Sequence, residues 1–229
     1  MKSIHTGHRQ RLKERFRQEG LDSFDELHVL ELLLFHAIPQ GDTNPLAHEL
    51  LRRFGSLTGV LEAKREELEQ VKGLGEHSVT LLRLVTELSR YYAVQRMSME
   101  RVLPTLEKCG EYLVPFFIGQ REETVYLLCL DGKCKVLACR KLGQGGVNSV
   151  GVPIRRVVET ALNTNASSVI LAHNHPSGLA LPTTEDVQVT KKVATALDLV
   201  GVRLADHVIV ADQDFVSLTD SGLYNPERI

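Results

Sequence analysis

The sequence predicts an α/β (α+β) protein in two parts, an all-α N-terminal domain followed by a mixed sheet flanked by helices. Three observations carry this reading. Residues 1–96 are rich in Leu, Glu, Arg and Lys and poor in β-branched residues, the composition of helices. Beyond residue 120, short apolar runs rich in Val, Ile and Leu alternate with amphipathic stretches, as strands interleaved with covering helices do. Between them, Ala93 to Leu103 loses the leucine periodicity, and the predicted domains are 1–98 and 104–229.

In the first half, Asp25 to His36 carries Leu27, Leu30, Leu33 and Leu34 on one helical stripe. Asn44-Pro45 predicts a helix start, with Asn as the cap and Pro in the first turn, and Gly55 predicts its end. A short helix is expected over Leu57 to Glu62. Glu66 to Lys72, the turn Gly73-Leu74-Gly75 and the stretch Glu76 to Tyr92 read as helix, tight turn, helix. This element resembles a helix-hairpin-helix, a family in which backbone N–H groups of the turn hold a DNA phosphate without reading sequence. Gly73 and Gly75 are the phosphate-contacting residues that resemblance implies. A plain helical hairpin capped by glycine reads equally well.

In the second half, Thr124 to Leu130 is a strand run, Asp131-Gly132 a hairpin turn, and Lys135 to Leu142 the returning strand, ended by Gly143, Gly145 and Gly146. Pro153 to Leu162 is an amphipathic helix. Ser168 to Ala172 is short and fully apolar, the pattern of a strand buried at a sheet centre. Thr184 to Val200 reads as a helix, and His207–Ala211 and Phe215–Leu218 as closing strands.

Composition excludes several classes. No run of 18 apolar residues spans a membrane, and the polar start from Met1 to Gln10 is no secretory signal, so a cytoplasmic location is expected. The four cysteines, Cys109, Cys129, Cys134 and Cys139, form no C-x-x-C pair and read as free buried thiols. A net charge of -2 gives no global field for nucleic acid. The one concentrated basic stretch, Lys2, Arg9, Arg11, Lys13, Arg15 and Arg17, is either a solvated helix face or a phosphate contact.

The segment that carries chemistry is His173-Asn174-His175-Pro176-Ser177-Gly178, continuing to Thr183-Thr184-Glu185-Asp186. Ten residues separate H-x-H from the Asp. Side chains two apart on extended backbone share a side, so His173 and His175 can present both imidazoles to one point. Asp186, on the first turn of the following helix, can bring a carboxylate there. Two nitrogens and one oxygen suit Zn²⁺, and a fourth position stays open for water. A carboxylate outside the ligand set is then needed to take the water's proton. Glu123, at the start of a strand that can pair beside the His-bearing one, is the candidate, with Glu122 its neighbour on the opposite face. Neither H-x-E with P-C-x-x-C nor H-E-x-x-H occurs, which sets aside nucleobase deaminases and the zincins.

The string H-N-H-P-S-G followed by Pro182-Thr183-x-x-Asp186 resembles the JAMM (MPN+) zinc metalloprotease motif in the form carried by the bacterial RadC family. The resemblance implies a JAB/MPN-like, cytidine-deaminase-like C-terminal domain. It implies His173, His175 and Asp186 as Zn²⁺ ligands and Glu123 as the proton-handling carboxylate. Thr183 falls where JAMM proteins usually carry Ser, a hydroxyl that helps stabilise the oxyanion; Thr keeps the hydroxyl and adds a methyl. Many RadC-like chains have His-Pro-Arg-Glu where this one has Pro153-Ile154-Arg155-Arg156, so a role tied to that His or Glu does not carry over. Asp206-His207 matches a D-H pair common in such chains. His207 is a possible outer partner, donating to Asp186 or a loop carbonyl, or else a structural residue at a strand edge.

Three functions fit. The first is a zinc-dependent metallopeptidase or isopeptidase acting on a peptide or protein. The second is a DNA-repair nuclease using the same metal, although two metals are commoner for phosphodiesters. The third is a DNA- or protein-binding module whose zinc is structural.

Overall fold

The structure, a computed structural model of the chain, describes residues 7–97, 102–145 and 152–226. Lys2 and Gly146, named above, lie outside the described residues. The chain divides into two compact units, Met1–Ser89 and Arg90–Ile229. Among the described residues no helix is long and apolar enough to cross a membrane.

The first unit is built from helices α1 (His8–Glu19), α2 (Glu26–Ala37), α3 (Asn44–Phe54), α4 (Leu57–Glu62), α5 (Arg65–Glu69) and the start of α6 (Glu76–Met97). Leu30, Leu34, Leu50, Leu68 and Leu82 are fully buried in one core, so the leucine stripe of α2 does face inward. Asp25 caps α2 by accepting from the His28 N–H. The start of α3 differs by one residue from the expectation. Thr43 is its N-cap and Asn44 already helical, because Thr43 lies in the αR region and its carbonyl already accepts from the Ala47 N–H (2.9 Å). α6 also runs on to Met97, past the expected break at Ala93. Gln95, Arg96 and Met97 are all good helix formers, and propensity outlasts the lost leucine spacing.

Two cations of the basic stretch, Arg9 and Arg15, are engaged within the unit. Arg9 donates to the carbonyls of Ile38 (2.7 Å) and Gly41 (2.6 Å) and lies over the Phe35 ring. Arg15 donates to the Ser23 backbone carbonyl and covers Phe24. These cations tie α1 to α2 and the loops around it.

The second unit is a five-stranded mixed sheet with helices. It contains α7 (Leu106–Leu113), β1 (Thr124–Leu130), β2 (Val136–Gln144), α8 (Ile154–Asn163), β3 (Ser168–Asn174), α9 (Thr184–Asp198), β4 (Arg203–Ala211) and β5 (Asp214–Ser217). The sheet order is β2-β1-β3-β4-β5, with β3 antiparallel to β1 and parallel to β4. The expected apolar central strand is therefore the middle one. Its alternation separates two cores. Val169 and Leu171, with Leu127 and Ile209, pack with Val157, Ala161, Val193 and Leu197 of α8 and α9. Ile170 and Ala172, with Tyr126, Leu128 and Val208, pack with Tyr112 and Leu113 of α7 and with Phe116 and Phe117 beyond it.

Among the boundaries that moved are those of β2 and β4. β2 continues through Gly143 to Gln144 instead of ending there, because Leu142 sits in a bulge opposite Val125 and Tyr126 that absorbs the glycine without ending the ladder. β4 begins at Arg203, four residues before the expected His207. The cysteines are all free; Cys109 and Cys129 are buried, whereas Cys134 and Cys139 are only half-buried. Burial pushes the Cys109 thiol up to about 12.

Gly110 of α7 packs against the Phe215 ring of β5, and a Cβ there would overlap it. Gly110→Ala should therefore cost about 1–3 kcal/mol as an overpacked contact, read as a lower midpoint in urea denaturation.

Candidate metal centre

The site forms where β3 ends and α9 begins. Val125 pairs with His173, and His173 with Ile209, so His173 projects to the face covered by α8 and α9. The chain then leaves the sheet. The His175 N–H still donates to the Val210 carbonyl (2.8 Å), which keeps the backbone extended one residue past the strand and returns the His175 ring to the same side. Gly178, at φ +80°, turns the loop in a conformation glycine adopts without strain.

Asp186 is the third residue of α9, and Thr183 is the N-cap. The Thr183 N–H and hydroxyl both donate to Asp186 Oδ2 at 2.7 Å, while the Asp186 N–H donates back to Thr183 Oγ1 at 3.2 Å. This is a capping box with aspartate at the third position. It anchors Oδ2 and orients the carboxylate at the two imidazoles.

Three ligand atoms thereby converge. His173 Nε2 lies 2.9 Å from His175 Nε2 and 3.1 Å from Asp186 Oδ1, and His175 Nε2 lies 3.6 Å from Asp186 Oδ2. Among the described residues, these three are the group of His, Cys, Asp and Glu side chains able to hold a metal ion. Tetrahedral bonds of about 2.0–2.1 Å put ligand atoms roughly 3.3 Å apart, within the spread seen.

The donor set fits a cation. His175 Nδ1 faces the Leu179 carbonyl at 3.2 Å. A carbonyl only accepts, so that nitrogen carries the ring proton and Nε2 holds a bare lone pair. The Asp186 carboxylate adds only lone pairs. Burial alone would raise its pKa, but the adjoining His173 ring and the two Thr183 donors outweigh it and hold the group well below the usual carboxylate range.

The other residues singled out from the sequence fall as follows. Thr183, expected near an oxyanion, has its hydroxyl on Asp186 Oδ2. His207 is buried on the same face, but its partners differ from the expected Asp186 carboxylate or loop carbonyl. Its Nε2 meets His173 Nδ1 at 2.8 Å and its Nδ1 meets Thr190 Oγ1 at 2.6 Å. Burial holds its pKa well below the ordinary imidazole value. Asp206 projects to the opposite face, where Oδ1 accepts from the His207 N–H, the Thr219 N–H and the Thr219 hydroxyl.

Glu123 precedes β1 by one residue, and its carbonyl accepts from the Gly145 N–H. Extending the Val125–His173 register by two residues sets it across from His175, on the face shared by Val125 and His173. It is half-buried. Gly73 and Gly75 lie in the other unit, between α5 and α6. Gly73 has φ +94°, and the Gly75 carbonyl accepts from the Ser78 and Val79 N–H groups as α6 starts.

Two residues carry the site without having been singled out. Asn174 accepts the Thr124 N–H (2.8 Å) and donates to the Gln120 carbonyl (3.1 Å), which pins the start of β1 beside the site. Thr190 bridges His207 and α9. Its place four residues after Asp186, on the same helix face, was the available signal.

The RadC-like JAB domain family matches residues 103–223. A UPF0758 protein of Fusobacterium nucleatum subsp. nucleatum is 34% identical over 224 residues, covering 95% of this chain and 97% of that protein. A UPF0758 protein of Marinomonas sp. (strain MWYL1) is 36% identical over 219 residues, covering 96% and 98%.

Removing the Thr183 hydroxyl should loosen both the helix start and the carboxylate. Thr183→Val is expected to cost about 1–2 kcal/mol in denaturant unfolding, and Thr183→Ser a few tenths.

Proposed function

This chain belongs to the RadC family, and from that membership we propose a zinc-dependent hydrolase of the metallopeptidase or isopeptidase type. The observation that carries the proposal is the convergence of His173 Nε2, His175 Nε2 and the Asp186 carboxylate, with separations of 2.9 to 3.6 Å. These residues would hold the ion. Bound Zn²⁺ supplies Lewis acidity and lowers the pKa of water to about 7.

The chain's own residues do the rest. Glu123, across from His175 by register, takes the proton of the attacking water and returns it to the leaving nitrogen. Thr183 holds the Asp186 carboxylate in place, and Asn174 keeps the segment bearing Glu123 beside β3. The oxyanion role expected of Thr183 would need its hydroxyl to turn from Asp186.

Amide hydrolysis is favoured over phosphodiester cleavage by the same geometry. Among the described residues the candidate ligands form a single three-residue group, whereas nucleases commonly use two metals. Contact between the Gly73–Gly75 turn and DNA phosphate is a separate proposal, supported by the turn's position immediately before the 22-residue α6.

Protein purified without chelator should contain about one zinc per chain, and His173→Ala or Asp186→Ala should abolish it. Glu123→Gln should keep the zinc and the fold while lowering cleavage of a peptide or isopeptide library by at least about 10²-fold. Undiminished cleavage by Glu123→Gln sinks the assignment of the base, and absence of zinc from the wild type sinks the metal reading.

A further inference from the structure

The buried hydrogen bonds behind His173 have only one consistent direction. The Asp186 backbone carbonyl lies 2.6 Å from Thr190 Oγ1. A carbonyl cannot donate, so the Thr190 proton lies between them. With its one proton spent, Thr190 Oγ1 must accept from His207 Nδ1, 2.6 Å away. In a neutral His207 ring, Nε2 is then a lone pair, and it must accept from His173 Nδ1 at 2.8 Å. A neutral His173 protonated at Nδ1 has a bare Nε2, and that atom is the one facing His175 and Asp186.

We infer that His207 and Thr190 are positioning residues, forming a buried relay anchored on the Asp186 carbonyl that commits His173 to its Nδ1–H tautomer and so leaves Nε2 free for a cation. The inference rests on the metal-centre reading above. Its burial is what gives it force. His173, Thr190 and His207 are 2%, 0% and 1% exposed, so water does not replace a missing partner at low cost. The relay also ends on the residue that supplies the third ligand. The side chain of Asp186 faces the cation and its carbonyl sets the tautomer of His173, so one turn of α9 controls two of the three ligands.

His175 is set by a different acceptor, the Leu179 carbonyl, with the same result. One ring is ordered by the loop, the other by the helix. Outer partners of this kind hold a ligating imidazole in the correct tautomer and orientation, and their loss commonly weakens metal affinity by roughly 10–100-fold.

The test uses the full chain. Zinc affinity is measured by competition with a chromophoric chelator, and imidazole ¹⁵N shifts are recorded on the metal-free protein. Thr190→Val removes the hydroxyl at nearly constant volume and should weaken zinc binding by about 10-fold or more. Thr190→Ser keeps the hydroxyl and should restore affinity to within about threefold. His207→Gln places an amide oxygen where Nε2 accepts, and should retain more affinity than His207→Leu. In the metal-free wild type, the ¹⁵N pattern should show His173 protonated at Nδ1, and Thr190→Val should change it.

Wild-type affinity and unchanged imidazole shifts in a folded Thr190→Val protein would overturn the relay, as would a proton on His173 Nε2 in the metal-free wild type. A wild type that takes up no zinc yet shows the Nδ1–H tautomer overturns the metal reading and leaves the relay standing.

Discussion

The first turn of α9 is the constraint on which the site depends. A buried carboxylate has to be compensated within a few ångströms or it protonates. Asp186 is 2% exposed, and the donors that compensate it are the Thr183 N–H and hydroxyl. The Thr183 contacts are also what start the helix. Helix initiation and ligand placement are therefore one set of hydrogen bonds, and neither can be lost alone. The carbonyl of the same residue closes the chain through Thr190 and His207 to His173.

Topology brings the remaining parts to that turn. β3 runs through the middle of the sheet, so His173 leaves a backbone hydrogen-bonded on both sides and has little freedom. β1 is antiparallel to β3, which puts the start of β1 and the end of β3 at one edge. The same register, extended two residues past Val125–His173, sets Glu123 across from His175. β4 is parallel to β3, and its alternation sends His207 to the site while Asp206 serves the other core. The adjacent D-H pair thus works on two faces of one strand.

Much of this was legible in the residues themselves. The apolar run Ser168–Ala172 announced a central strand, and H-x-H followed by Asp after ten residues announced a three-ligand site, because strand periodicity and a helix start are local properties. The bounds expected for Leu57–Glu62 are those of α4. The misses were of two physical kinds. Boundaries moved where a local signal had a competitor, as at Thr43, whose carbonyl takes the Ala47 N–H, or at Gly143, where a bulge carried β2 onward. Partners were missed where the contact is long in sequence. Asn174 reaches back to Thr124 and Gln120, and Arg9 closes on Ile38 and Gly41, distances over which periodicity carries no information.

By itself, then, the sequence determined the type of each major element, the family and the identity of the three candidate ligands, all of which follow from residue chemistry and spacing along the chain. Tertiary structure decided what those ligands are bonded to. It turned Thr183 from a neighbour of the reaction into the support of Asp186 and gave His207 a direction through Thr190. Proton positions in a buried network are the reason. The proton on each imidazole is set by whichever acceptor stands behind it, and that acceptor is known only once the strands and the helix are packed.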